Sequence, residues 1–143
     1  MEVRLAQKRG FCFGVEDAIE LTEDALAHYG PGQMIALGPV IHNPQVVSRL
    51  EQAGLNQSGS MEEIPAGSTI LIRSHGASPA LLQQAHDKKL NIVDATCILV
   101  KKAQDAVRML HQQGYQVIMI GDEHHPEALS LSAVSGQLGR YED

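Results

Sequence analysis

The sequence predicts an α/β fold with a mainly parallel sheet. Short apolar runs rich in Ile and Val alternate with longer segments of helical periodicity, which is the order found in β-α-β units. This strand–loop–helix pattern recurs about every 25–35 residues, the length of one such unit. The predicted strands lie at residues 3–6, 34–37, 69–72, 92–93 and 117–120. Helices that connect strands in this way imply right-handed crossovers and parallel neighbours.

Five helices are predicted from apolar residues spaced three and four positions apart. Their apolar positions are Val15, Ala18, Ile19, Thr22, Ala25 and Leu26 in the first, Val46, Val47, Leu50 and Ala53 in the second, Leu81, Leu82 and Ala85 in the third, Leu99, Ala103, Ala106, Val107 and Leu110 in the fourth, and residues 128–134 in the fifth. Glycines end the first, second and fourth helices. The polar residues 56–63 predict a surface loop, and Gly136, Gly139 and a polar tail follow the last helix. A parallel sheet would usually continue there, so we expect a larger architecture.

Composition narrows the class of protein and its partners. The chain has 143 residues, a formal net charge of −6, 3% aromatic residues and no run of Lys or Arg longer than two. A stacking platform or basic surface for nucleic acid is therefore not expected. No apolar stretch approaches the roughly 20 residues of a membrane span. The first residues lack the apolar core of a secretory signal. We expect a cytoplasmic protein with neither a nucleic-acid nor a membrane partner.

Thiol and imidazole side chains come three to six residues after each of the apolar runs and before each helical segment. They are Cys12, His42, His75, Cys97 and His125. The carboxyl ends of parallel strands share one edge of a sheet, and open α/β sheets bind ligands at that edge. Residues far apart in the sequence are therefore expected to converge on a single site.

The three histidines share one local pattern. Asn43 and Ser78 are predicted N-caps after His42 and His75, and a proline follows each cap, whereas His125 directly precedes a proline. Helix N-termini present free N–H groups and a partial positive charge, which suit phosphate or carboxylate groups. Imidazoles add hydrogen bonds and, when protonated, charge. One such histidine is most often a surface or capping residue, but three in equivalent places favour an anion site.

The cysteines and one glutamate complete the set of reactive side chains. Cys12 and Cys97 each precede a predicted helix, and a helix N-terminus favours the thiolate that ligates metals or acts as a nucleophile. Cytosolic thiols are normally reduced, so packing residues, a reactive thiol and metal ligands remain as interpretations. Glu127 lies in the first turn of the fifth helix, where the helix dipole alone favours it. Beside a bound anion and a metal, its carboxyl group could also pass a proton to a leaving hydroxyl.

Five sequence blocks together resemble the LytB family, the 4-hydroxy-3-methylbut-2-enyl diphosphate reductases of the non-mevalonate isoprenoid pathway. The blocks are GFCFGV at 10–15, VIHN at 40–43, SHG at 74–76, DATC at 94–97 and GDEHHPE at 121–127. Their order and spacing match over nearly the whole chain. The resemblance implies three related α/β units in a complete family member, of which this chain holds the first, residues 1–95, and part of the second, residues 96–143.

The resemblance also implies a chemistry. Family members reduce their substrate to isopentenyl and dimethylallyl diphosphate at a [4Fe-4S] cluster held by three cysteines, with electrons from a protein such as ferredoxin or flavodoxin. Cys12 and Cys97 match the first two metal ligands. His42, His75 and His125 match the histidines that bind the diphosphate. Glu127 matches the carboxylate that relays a proton to the leaving hydroxyl.

This sequence departs from the family pattern in two ways that bear on its activity. Family chains are about twice as long, and the third cysteine lies in the part that this sequence lacks. Ile98 follows Cys97 where the family usually has Pro. Since two thiolates cannot supply a three-cysteine cluster site, we expect this chain to be inactive alone.

One alternative function is a non-catalytic diphosphate-binding module derived from the family. Another is a zinc hydrolase with Cys and His ligands, which the absence of short ligand spacings disfavours.

Overall fold

The computed structural model describes residues 2–135 and 139–141 and contains five helices and six strands in these ranges. The helices are α1 (Phe13–Tyr29), α2 (Pro44–Gln52), α3 (Pro79–Asp87), α4 (Ile98–Gln112) and α5 (Pro126–Ser135). The strands are β1 (Met34–Leu37), β2 (Leu55–Ser58), β3 (Thr69–Ile72), β4 (Asn91–Asp94), β5 (Ile118–Ile120) and β6 (Gly139–Tyr141). All five predicted helices are confirmed, as are four of the five predicted strands to within one residue at each end. None of the described helices is both long and apolar enough to cross a lipid bilayer.

Four of the strands form a parallel sheet in the order β2-β1-β3-β4. Met34 of β1 pairs with Leu55 on one side and with Thr69 on the other, and Ile72 of β3 pairs with Asp94 of β4. Helix α2 connects β1 to β2, and α3 connects β3 to β4, so both are crossover helices between parallel neighbours. Strands β5 and β6 form a separate parallel pair. The prediction of an α/β fold with a mainly parallel sheet is confirmed.

The hydrophobic core covers both faces of this sheet. One cluster packs buried residues of α1 and α2 against Met34, Ala36 and Leu71, and the other packs α3 against Ile70 and Ile72. Successive side chains of a strand point to opposite faces, so neighbouring residues of β3 belong to different clusters. All four residues of β3 are buried, which is why its sequence is continuously apolar. This packed four-stranded sheet, called the frame below, supports the loops at the carboxyl ends of its strands.

The strand predicted at residues 3–6 is wrong. Residues 2–12 form neither helix nor strand, and Val3 and Leu5 are 70% and 73% exposed. An apolar, β-prone run becomes a strand only where a neighbouring strand pairs with its N–H and C=O groups, and the run itself does not specify that neighbour. Cys12 is therefore positioned by the start of α1 and not by a preceding strand.

Two strands lie in segments predicted to be irregular. Strand β2 overlaps the expected loop at residues 56–63, and β6 lies in the expected polar tail. Leu55 is the buried residue of β2, while Asn56 and Gln57 are exposed at the edge of the sheet. Backbone pairing with β1 defines this strand, and such pairing leaves no apolar alternation in the sequence. Gly136 lies outside the described residues.

Candidate functional site

Three histidine rings form a cluster beyond the strand ends. His42 lies between β1 and α2, His75 between β3 and α3, and His125 between β5 and α5. The ring centroids of His42 and His75 are 4.5 Å apart, and His125 is 5.5 Å from each of them. One nitrogen from each ring lies within 4.8 Å of the other two. The predicted convergence of the histidines is therefore present, although His125 arrives from the second sheet and not from the same sheet edge.

Local capping explains why each histidine lies at the end of a loop. The side chains of Asn43 and Ser78 accept hydrogen bonds from the third residue beyond them, at 3.0 and 3.1 Å, and so begin α2 and α3. His125 caps α5 itself, since its Nδ1 accepts the N–H of Glu127 at 3.2 Å. These caps fix where the chain turns into each helix, and the imidazoles are held beside those turns.

The cap bond of His125 decides which ring nitrogen carries the proton. A neutral imidazole has one donor and one acceptor nitrogen. Because Nδ1 accepts from Glu127, Nε2 is the N–H donor. A zinc ion needs a nitrogen lone pair, whereas an anion needs a donor. This geometry favours an anion in the histidine cluster and opposes the hypothesis of a zinc hydrolase that uses Nε2 of His125.

His75 is the most buried member of the cluster, with 8% of its surface exposed. Burial, followed by the charges of His42, Arg73 and His125, lowers the pKa of His75 to about 4. It is therefore neutral at neutral pH. Its Nδ1 is buried and has no hydrogen-bond partner among the described residues. A buried polar atom without a partner is costly, so the site favours a ligand that supplies one.

Two serines that the sequence analysis missed hold His75 in place. Ser74 is 6% exposed, and its hydroxyl donates to the carbonyl oxygen of Val40 at 2.9 Å. Ser130 of α5 is 3% exposed and donates to the carbonyl oxygen of His75 at 2.8 Å. Ser74 thus ties the loop of His75 to that of His42, and Ser130 ties it to the helix that His125 begins. The SHG block was the available signal for Ser74, but no sequence pattern marks Ser130.

The cysteines lie at the N-termini of two helices that meet. Cys12 is the N-cap residue of α1 and is exposed, and Cys97 is the N-cap residue of α4 and is partly buried. A Cβ atom on Gly14 would overlap the Sγ of Cys97. The thiol of Cys97 therefore fits against α1 only because that residue is glycine, two positions after Cys12.

This pair of thiols fits a metal centre. Both are free, both are N-cap residues of helices, and Gly14 leaves space for the sulfur of Cys97. Thiolates are the characteristic ligands of iron–sulfur clusters. The chain contains two cysteines, so the donor set matches two ligands of such a centre and leaves the others to be supplied.

The thiols and the histidine cluster are linked through one loop. The N–H of Cys97 donates to the carbonyl oxygen of Ser74 at 3.0 Å, one residue before His75. Asp94 supports this turn by accepting from the N–H of Thr96 at 3.0 Å and pairing with Lys101 at 2.7 Å. The bond from Cys97 to Ser74 therefore joins the start of α4 to the loop of His75.

Glu127 lines an open cleft of about 280 Å³ together with His125. Its other walls are mostly apolar: Met119, Ile120, Gly121, Asp122, Ala128 and Leu131. The carboxylate is half-buried, and it lies in the first turn of α5, two residues after the histidine. Glu127 and His125 thus line the same cleft.

The remaining histidines lie outside the cluster. His28, His86 and His111 are exposed on α1, α3 and α4. His124 is exposed and lies 3.4 Å from the carboxylate of Glu123.

A family model described as LytB protein matches residues 3–140. The chain belongs to the LytB family. The 4-hydroxy-3-methylbut-2-enyl diphosphate reductase of Geobacter metallireducens is 46% identical over 131 residues, which are 92% of this chain and 45% of that protein. The reductase of Citrifermentans bemidjiense is 45% identical over 140 residues, which are 98% of this chain and 48% of that protein. The resemblance seen in the sequence blocks is confirmed.

Solved structures agree with this assignment. The structure of a reductase described as the terminal enzyme of the non-mevalonate pathway superposes with a TM-score of 0.79 at 39% identity, over 92% of this chain and 47% of that chain. The Plasmodium falciparum reductase superposes with a TM-score of 0.89 at 32% identity, over 96% and 43%. This LytB chain spans about half the length of the curated relatives it matches.

Proposed function

We propose that this chain is the N-terminal part of a 4-hydroxy-3-methylbut-2-enyl diphosphate reductase. The complete protein would remove the substrate hydroxyl as water, using two electrons and two protons, and release isopentenyl or dimethylallyl diphosphate. Residues 1–95 would form its first α/β unit, and residues 96–143 part of the second. The observation that carries the proposal is the convergence of His42, His75 and His125, with one nitrogen from each within 4.8 Å of the others.

The three histidines would bind the diphosphate as hydrogen-bond donors. His125 offers Nε2–H because its Nδ1 is engaged by α5. His75 is neutral, and its buried Nδ1 lacks a described partner. Phosphate oxygens are acceptors, and the starts of α2, α3 and α5 add the favourable ends of three helix dipoles. Hydrogen bonds from the imidazoles would hold the diphosphate at a fixed place relative to Glu127.

Glu127 would deliver the proton to the leaving hydroxyl. Glu127 shares the largely apolar cleft with His125, and its carboxyl group would act there as a general acid toward the departing hydroxyl.

Cys12 and Cys97 would hold an iron–sulfur cluster, of the [4Fe-4S] type in this family, together with a third cysteine from outside this chain. The bound cluster would supply the two electrons, received from a donor protein such as ferredoxin or flavodoxin. Gly14 would keep the space that the sulfur of Cys97 requires beside α1. We place the reaction in the cytoplasm, where thiols stay reduced and available as ligands.

Anaerobic reconstitution tests the whole proposal. The chain is produced together with the C-terminal half of the Geobacter metallireducens reductase and treated with iron and sulfide. A brown chromophore and reduction of the substrate by reduced flavodoxin are expected. Cys12→Ser or Cys97→Ser should abolish the chromophore. Glu127→Gln should retain the chromophore and substrate binding but lose turnover, and full turnover by this variant would contradict the role of Glu127.

A second candidate function is a diphosphate-binding module without catalysis, since the chain holds two of the three cysteines that a cluster needs. Calorimetry of the chain with inorganic pyrophosphate tests the histidine site by itself. Binding should disappear in the double variant His42→Ala/His75→Ala and persist in His86→Ala, whose side chain is exposed on α3. Pyrophosphate binding with no chromophore in the complemented protein would favour the module. Unchanged binding by the double variant would exclude the proposed diphosphate site.

A further inference from the structure

Arg73 is a half-buried cation two residues before His75, and its guanidinium has neither a hydrogen-bond nor an ion-pair partner among the described residues. It directly follows β3. Its Nη1 would be 3.0 Å from a Cβ atom on Gly38. The guanidinium therefore lies over the residue that directly follows β1. It is thus held between the two strands whose ends lead to His42 and His75.

This position is unfavourable for the free protein. Burial lowers the pKa of Arg73, which means that the guanidinium has lost part of its hydration. A guanidinium presents five N–H donors and cannot lose its charge in a protein. Two other arginines have carboxylate partners: Arg49 pairs with Glu23 at 2.9 Å, and Arg108 pairs with Asp105 at 2.5 Å. The part of the chain that the structure describes offers Arg73 no such carboxylate, in a place where desolvation makes one valuable.

The histidine cluster, in contrast, has hydrogen-bonding groups but no permanent positive charge. His75 is neutral at neutral pH, since its pKa is about 4, so it offers hydrogen bonds without charge. A diphosphate carries at least two negative charges at neutral pH, and the chain as a whole has a formal net charge of −6. A local positive charge that does not depend on the protonation of His75 would therefore strengthen the attraction of the anion. Arg73 acts electrostatically on His75, and so its charge reaches the cluster.

We propose that Arg73 supplies the permanent positive charge of the diphosphate site, with its guanidinium held over Gly38 between the loops of His42 and His75. The inference rests on the proposed diphosphate site and adds a binding residue to it. Guanidinium groups bind phosphate oxygens with paired, charge-assisted hydrogen bonds. Gly38, at a φ of +81°, has no side chain to fill the space that the guanidinium occupies.

Calorimetry with inorganic pyrophosphate tests the inference in the full chain. Arg73→Gln should weaken binding about tenfold and make it less sensitive to salt, because a charge-assisted contact is lost. Arg73→Lys keeps the charge without the paired geometry and should weaken binding only about threefold. Arg49→Gln, which removes a similar charge that is already paired with Glu23, should bind as the wild type does.

Two further readouts distinguish binding from a structural role. Arg73→Gln should unfold at the same or a higher urea concentration than the wild type, because an unpaired, partly desolvated cation is removed. A structural role predicts lower stability. The pKa of His75, followed by NMR, should rise in Arg73→Gln, since the charge of Arg73 contributes to lowering it.

The outcomes distinguish a failure of the role of Arg73 from a failure of the proposed diphosphate site. If Arg73→Gln binds pyrophosphate like the wild type while His42→Ala/His75→Ala does not bind, the role of Arg73 is wrong and the histidine site stands. If the double histidine variant binds normally, both are wrong. If Arg73→Lys binds as weakly as Arg73→Gln and both are destabilised, Arg73 supports the fold and is not a ligand.

Discussion

Apolar side chains of the four-stranded sheet are covered on both faces, whereas in β5 Ile118 and Ile120 are 53% and 79% exposed. The loops of His42 and His75 leave the covered sheet. His125 and Glu127 belong to the segment after Cys97, whose buried residues among those described are Val100, Ala128 and Ser130. The residues of the candidate site thus come from two regions: the well-packed four-stranded sheet and the segment after Cys97, which has few buried residues.

The difference shows how the second segment is positioned. Ser130 donates to the carbonyl oxygen of His75, and Gly14 admits the sulfur of Cys97 against α1. Hydrogen bonds and close approaches at a few residues take the place of a broad apolar interface. We expect substitutions in the frame to act mainly on global stability, and substitutions at these links to act on the alignment of the site.

The largest effect on the free energy of unfolding is expected at a buried isoleucine of the sheet, with an exposed isoleucine of β5 as the control. Ile70 of β3 is 0% exposed, and Ile120 of β5 is 79% exposed. Ile70→Ala should lower the free energy of unfolding by about 4 kcal/mol, because it removes buried methyl groups and leaves a cavity. Ile120→Ala should change it by less than about 0.5 kcal/mol. Urea unfolding measures both, and equal losses would contradict the contrast between the two regions.

The next effect concerns the pH dependence of stability. His75 has a pKa of about 4 in the folded protein, against about 6.5 for an unfolded chain. Between these values the unfolded state binds a proton that the folded state does not, so stability falls as the pH is lowered from 6.5 toward 4. The total loss from this group is up to about 3 kcal/mol.

Urea unfolding at several pH values checks this component. His75→Gln should remove it, and the stability of this variant should decline less between pH 6.5 and pH 4. His86→Gln, a change at an exposed helical position, should keep the wild-type dependence. If the stability of the wild type and that of His75→Gln depend on pH in the same way, the burial of His75 does not control this pH response.

A smaller effect is expected at the contact between α1 and Cys97. Alanine is favoured over glycine within a helix by up to about 1 kcal/mol, but a Cβ atom on Gly14 would overlap the Sγ of Cys97. Displacement of close-packed groups should dominate, with a loss of about 2 kcal/mol for Gly14→Ala. Gly59→Ala is the control, since no atom lies within 4 Å of its added Cβ. A stabilised Gly14→Ala variant would refute this close contact.

The smallest effect is expected at the hydrogen bond between the two regions. Ser130→Ala removes the donor to the carbonyl oxygen of His75 and should cost about 1 kcal/mol of stability. It should also weaken pyrophosphate binding, because His75 and α5 lose their shared restraint. Ser132→Ala is the matched control, since its hydroxyl donates to Ala128 within the same helix at 2.8 Å. If both variants bind pyrophosphate equally, Ser130 does not align the site.

Local patterns explain which elements were predictable. Helix α1 has apolar residues at helical spacing, and β3 is a continuous apolar run that the sheet buries on both faces. Residues 3–6 have similar β-prone composition but lack a partner, whereas β2 has a partner but little apolar pattern. Strand formation depends on a neighbour that can be distant in sequence, so composition gave a false strand in one case and missed a real one in the other.

The sequence by itself determined the order of the five helices and of four of the six strands, the five blocks that resemble the LytB family, and the residue types of the site. The tertiary structure decided which of these residues meet and in what chemical state. The contact between Ser130 and His75 spans 55 positions, and burial lowers the pKa of His75. Periodicity and caps are properties of neighbouring residues, and so they can be read locally. Burial, protonation and the half-buried position of the Arg73 charge depend on groups brought together only by the folded chain.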